Sequence, residues 1–136
     1  MREVAHVIFE NERGELLLYL RDNKPGIPFP RHWDLFGGHL DEEETPEEAL
    51  VREVEEELGI ELTSFQFFRR YECLAVDAYP NIKHVYTASI AIPADELQLG
   101  EGERLQYFAR HEIPGLKIAN ILKDVLLDYI DATGGM

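Results

Sequence analysis

One segment of the chain admits a single local structure. In Thr45-Pro46-Glu47-Glu48, Thr45 is the N-cap, Pro46 takes the first helical position and Glu48 closes a capping box. Gly59 supplies the left-handed residue at which helices commonly stop. Between them Leu50, Val51, Val54 and Leu58 recur at helical spacing. The pattern predicts an amphipathic helix over 46–58, whose one apolar stripe must be covered by the rest of the fold.

The same region carries most of the charge. The chain has 136 residues and a formal net charge of −14; residues 41–57 hold ten acids and one base, Arg52. That stretch contributes −9, the other 119 residues only −5. Such acidity argues against a nucleic-acid partner, which needs a basic face. At ~100° per residue, Glu53, Glu56 and Glu57 fall within an arc of about 100°, roughly 120° from the middle of the apolar stripe. Carboxylates this close repel one another, more strongly as solvent is lost. Both a solvated acidic face and a site for hard divalent cations fit this pattern. Mg²⁺ or Mn²⁺ suits it best, since both prefer oxygen ligands and share them with water and phosphate.

The remaining segments give the fold class. Residues 3–9 and Glu15–Arg21 read as strands around a turn at Asn11–Gly14, followed by a proline-rich loop over Asp22–Arg31. A short apolar segment, His32–Phe36, stops at Gly37-Gly38. Strands are expected at Leu62–Val76, Ile82–Ile92 and Leu105–Ala109, with a hairpin connection at Asp77–Asn81, and Leu116–Ile130 is expected to be a closing helix. The order ββ-α-βββ-α predicts an α/β (α+β) domain, residues 1–136, with a mixed sheet between helices. The run Phe65, Phe67 and Phe68 reads as core packing. The lone cysteine, Cys73, excludes an internal disulfide and fits a reducing, cytoplasmic setting. No apolar stretch reaches the ~18 residues of a membrane span, and the charged start is not that of a secretory leader, so no membrane partner is expected.

From Gly38 to Ile60 the residues are Gly38, five residues, Glu44, seven residues, Arg52-Glu53-Val54, one residue, Glu56-Glu57, one residue, Gly59-Ile60. This string matches the 23-residue Nudix box position for position. Seven fixed positions make a chance match roughly one in 10⁸ per starting point. The chain therefore resembles the Nudix hydrolases, and the resemblance implies their α/β/α sandwich. One position departs from the family pattern: Glu43 stands where many members have glycine.

The resemblance implies hydrolysis of a nucleoside diphosphate linked to another group, by Mg²⁺-assisted attack of water on phosphorus. It assigns Glu53, Glu56 and Glu57 as metal ligands, joined by the Gly37 carbonyl and a carboxylate from the later loop, Glu103 or Glu101. Catalytic roles fall to Glu53 as general base, Glu44 as support from the loop and Arg52 as orienter of the carboxylates. Arg21 is the candidate for a substrate phosphate, and Trp33 and Phe29 are candidates for stacking on a base. The substrate is a small phosphorylated molecule, a nucleoside triphosphate or a nucleotide sugar, taken by a monomer or homodimer. The alternative is a catalytically silent nucleotide-binding or regulatory module.

Overall fold

The computed structural model describes residues 1–75 and 77–134. Its strands are β1 (Arg2–Glu10), β2 (Leu16–Leu20), β3 (Trp33–Asp34), β4 (Phe36–His39), β5 (Gln66–Cys73), β6 (Asn81–Ser89) and β7 (Arg104–Phe108). The helices are α1 (Pro46–Leu58) and α2 (Leu122–Ala132). All seven strands belong to one mixed sheet of order β3-β2-β1-β6-β5, with β4 paired to β1 and β7 to β2.

β1 organises the molecule. One edge runs parallel to β6 from Arg2 to Glu10. Its other edge is shared: β4 pairs with Val4–Val7, and β2 with Phe9 and Glu10. Because side chains alternate across a strand, β1 feeds two cores. Ala5, Val7 and Phe9 pack with Leu50, Val54 and Leu58 of α1. Ile8 joins Leu122, Val125 and Leu126 of α2 on the opposite face. The result is a sheet between two helices, the α+β sandwich expected.

α1 has the bounds its sequence predicts. The Thr45 hydroxyl accepts the Glu48 N–H at 3.1 Å while Glu48 accepts the Thr45 N–H at 2.9 Å. Gly59 closes the last turn by donating to the Glu55 carbonyl at 2.8 Å.

Other elements differ from expectation. The segment His32–Phe36 does not stop at the glycines, because Gly37 and Gly38 are themselves strand residues paired with His6 and Ala5. The closing helix starts at Leu122 rather than Leu116. Residues 117–119 instead pair with β3, Trp33 donating to the Lys117 carbonyl and Ala119 to that of Trp33, and Arg110–Gly115 form a 3₁₀ turn. The strand expected from Leu62 begins at Gln66, since Leu62 is buried in the α1 core instead; its expected end, Val76, lies outside the described residues. Phe67 is 59% exposed, not core, because β5 ends the sheet order and bulges between Phe67 and Arg69. No helix among the described residues is long and apolar enough to cross a membrane.

Candidate active site

β4 and α1 build the site together. At Gly37 φ is +138°, and a Cβ would lie 1.9 Å from the Ala5 carbonyl oxygen, so only glycine lets β4 press this closely on β1. The Gly37 N–H then points at α1 and donates to Glu57 Oε1 at 2.8 Å. A Cβ on Gly38 would fall 2.5 Å from Glu53 Cδ. The two glycines thus leave room for the carboxylates of two residues one helical turn apart.

Burial separates the glutamates. Glu57 is 4% exposed, and burial pushes its carboxyl up to about 9, against the lowering pull of the Gly37 N–H. Glu53 is also raised, by burial first, with Arg52 acting against it. The Glu56 side chain is 59% exposed. The arc drawn from helical spacing therefore divides, with Glu53 and Glu57 turned inward and Glu56 at the rim.

Arg52 ties the acidic loop to the helix. Its Nε and Nη2 donate to Glu44 at 2.8 and 3.0 Å, its Nη1 to Glu53 Oε1 at 2.9 Å, and Nη2 also to the His39 carbonyl at 3.0 Å. This planar fork, helped by the Asp41 N–H, holds the Glu44 carboxyl down at about 2. Glu43 sits in the intervening turn with φ +65°, the left-handed region that favours glycine.

Of these carboxylates Glu53 lines a cavity of about 570 Å³. Gly37, Gly38 and Glu101 share its wall with Arg2, His6, Lys83 and Tyr79. Arg21 lies in the wall, donating to Asp34 Oδ2 at 2.8 Å and to the Pro28 carbonyl at 3.0 Å. Asp34 is buried, which raises its carboxyl against the pull of Arg21. Near the rim the His39 ring stacks on Tyr79, centroids 5.6 Å apart, and Nε2 lies 2.8 Å from the Tyr79 hydroxyl.

A family model of the NUDIX domain matches residues 1–129. The chain belongs to the Nudix hydrolase family. A Nudix relative in Haemophilus influenzae, an 8-oxo-dGTP diphosphatase, is 39% identical over 70 residues, which is 52% of this chain and 50% of that protein. The chain thus matches about half the length of that relative. An uncharacterized Nudix hydrolase of Listeria monocytogenes is 30% identical over 138 aligned positions, 88% of this chain and 80% of the relative. The solution structure of the E. coli ORF135 protein superposes with a TM-score of 0.79 at 25% identity, covering 99% of this chain and 92% of that one.

Three expected Nudix site residues lie elsewhere. Trp33 is only 9% exposed, edge-on to Phe108 at 4.7 Å in the α2 core, so no base can stack on it. The Phe29 ring abuts His32 at 5.4 Å, and Pro28 rather than Phe29 lines the cavity. Glu103 is 3.4 Å from Arg31, whereas Glu101 lines the cavity and bears on both Glu53 and Glu57. Sequence reasoning missed Lys83 and Tyr79, and passed over His6 for want of metal-ligand spacing. No local spacing marks them, because the β1–β6 pairing and the residues just before β6, 77–80, bring them to the cavity.

Among the described residues no three acidic or histidine side chains converge as a finished metal cage. The donor set still fits a hard cation. Glu53 Oε1 is engaged by Arg52 and Glu57 Oε1 by Gly37, which leaves each residue's second oxygen and a lone pair on its first, with Glu56 and Glu101 at the rim. Mg²⁺ is satisfied by one or two carboxylates plus water and phosphate oxygens.

Proposed function

We propose that this chain hydrolyses a phosphoanhydride bond of a nucleoside triphosphate, with Mg²⁺ held by Glu53 and Glu57 and completed by Glu56 and the Gly37 carbonyl. The observation that carries the reading is the packing of the Glu53 and Glu57 carboxylates against Gly38 and Gly37, with Glu53 in the wall of a cavity that Arg2, Arg21 and Lys83 also line. Bound Mg²⁺ would offset phosphate charge and make water more acidic. Mn²⁺ fits the same oxygen set.

The residues divide the work. Glu53 Oε1 accepts Arg52 with one lone pair and keeps the other for the cation, so Oε2 is left to accept the proton of the attacking water, and the raised pKa brings the group nearer the range useful to a base. The new bond is water oxygen to phosphorus; the bond that breaks is phosphorus to the bridging oxygen, which leaves on the departing phosphate. Arg21 meets a phosphate oxygen from the cavity wall. Arg52 keeps Glu44 and Glu53 in position without touching substrate. Glu101 replaces Glu103 as the loop carboxylate. The Haemophilus relative's activity supports a nucleoside triphosphate over a nucleotide sugar. The lone cysteine, buried Cys73, agrees with a reducing cytoplasm.

The alternative, a binding module without turnover, is favoured by one observation: Arg52 already neutralises part of the carboxylate charge. Phosphate release from a panel of nucleoside triphosphates and nucleotide sugars, with and without Mg²⁺, separates the two. Mg²⁺-dependent release from a triphosphate supports the hydrolase; tight nucleotide binding with no release supports the module.

A further inference from the structure

The same cavity contains a buried cation that the hydrolytic reading does not use. Lys83 on β6 is 3% exposed, and its Nζ lies 2.9 Å from Asp77 Oδ2. An ammonium has three N–H donors, and Asp77 is its one ionic partner among the described residues. Asp77 is in turn fully committed: Oδ1 accepts the Ile121 N–H at 3.0 Å and Oδ2 the Asn81 side-chain amide at 2.8 Å. Asn120 answers by accepting the Ala78 N–H at 3.1 Å, so Asp77-Ala78 and the approach to α2 are clasped together beside Lys83. Beside it His6 is buried, with Nδ1 unpartnered. Burying polar groups with spare hydrogen-bonding capacity is unfavourable unless something completes them.

Resting on the hydrolase reading above, we propose that Lys83 is a specificity-determining residue that donates to an exocyclic carbonyl oxygen of the substrate's base. Two features choose a base over a second phosphate. The Lys83 charge is already balanced by Asp77, so Lys83 itself suits a neutral acceptor, while Arg2 and Arg21 in the same wall are the cations left for phosphate. At the rim the His39 ring and the Arg2 guanidinium, 4.6 Å over the Tyr79 ring, form a layered planar stack suited to a further planar ring. Guanine presents a carbonyl oxygen at the position where adenine presents an amino donor. A donor-only ammonium pairs with the first and is left unsatisfied by the second.

The test is calorimetric binding of dGMP, dIMP and dAMP in EDTA, which does not depend on metal or turnover. Wild type is expected to bind dGMP and dIMP at least tenfold more tightly than dAMP. Lys83→Met is expected to bring the three within about twofold, mainly by weakening the carbonyl bases. Since Lys83→Met strands Asp77, the Asp77→Asn/Lys83→Met double variant is measured beside it; removing both charges preserves the fold where removing one does not. Thermal melting confirms the folded state of each. Wild type that binds all three equally, or none, overturns the proposal, as does a folded double variant that retains the tenfold preference. Failure of the hydrolase reading shows separately, as absent Mg²⁺-dependent release with the base preference intact.

Discussion

Glu57 accepts the Gly37 N–H at 2.8 Å, across the joint between α1 and β4, beside the apolar stripe of Leu50, Val54 and Leu58. A carboxylate buried there destabilises the fold unless a proton or a cation accompanies it. That single contact links the glycine pair, the helix and the metal chemistry.

Without metal, the Glu57 carboxyl titrates at about 9 in the folded chain against an ordinary value of 4.5. The native state therefore binds an extra proton across that window, and this group's contribution to stability falls as pH rises from about 4.5 to about 9. Glu57→Gln is expected to melt higher than wild type in EDTA at pH 8, by ~1–3 kcal/mol, with the difference shrinking toward pH 5. Melting curves at both pH values check this. Mg²⁺ should stabilise wild type at pH 8 but not the variant.

Glu44 works in the opposite direction. Held at about 2 by Arg52, it contributes stability above its ordinary value that is lost as pH falls toward about 2. Arg52→Lys keeps the charge but not the planar fork. The expected result is a lower melting temperature at pH 7, with the difference from wild type shrinking as pH falls toward about 2. Metal affinity should weaken roughly tenfold or more as Glu53 loses its orientation, measurable by calorimetric titration of Mg²⁺.

The glycine pair separates folding from chemistry. Gly37→Ala forces a Cβ onto the Ala5 carbonyl oxygen at positive φ and is expected to cost about 3 kcal/mol or more. Gly38→Ala meets only the movable Glu53 carboxylate. It should melt within a few degrees of wild type while losing most turnover. Equal melting of the two variants would contradict the assignment.

Glu43 occupies a left-handed turn at φ +65°. Glu43→Gly relieves about 1–2 kcal/mol of backbone strain, offset in part by the greater freedom of glycine in the unfolded chain. A net gain of about 0.5 kcal/mol is expected in chemical denaturation, with Arg52 and Glu44 undisturbed.

How far the sequence speaks depends on how local the cause is. α1 was legible to the residue because its cap, stripe and stop all lie within one segment. The Nudix spacing placed Glu53, Glu56 and Glu57 on that helix, yet not the turning of Glu53 and Glu57 inward, which depends on how β4 meets β1. Trp33 looked like a stacking ring because nothing in its neighbourhood announces Phe108, 75 positions later. The start of α2 was misread for a related reason, as residues 117–119 have helical composition but are claimed by β3. Lys83 and His6 were invisible because only pairing of distant strands makes them neighbours of the cavity.

In the proposed site Glu53 and Glu57 jointly hold a divalent cation. Mn²⁺ titration followed by electron paramagnetic resonance tests it on wild type, Glu53→Gln and Glu57→Gln, each verified as folded. Wild type is expected to deplete the free Mn²⁺ signal, and each variant to bind at least tenfold more weakly. Equal Mn²⁺ binding by all three proteins would contradict it.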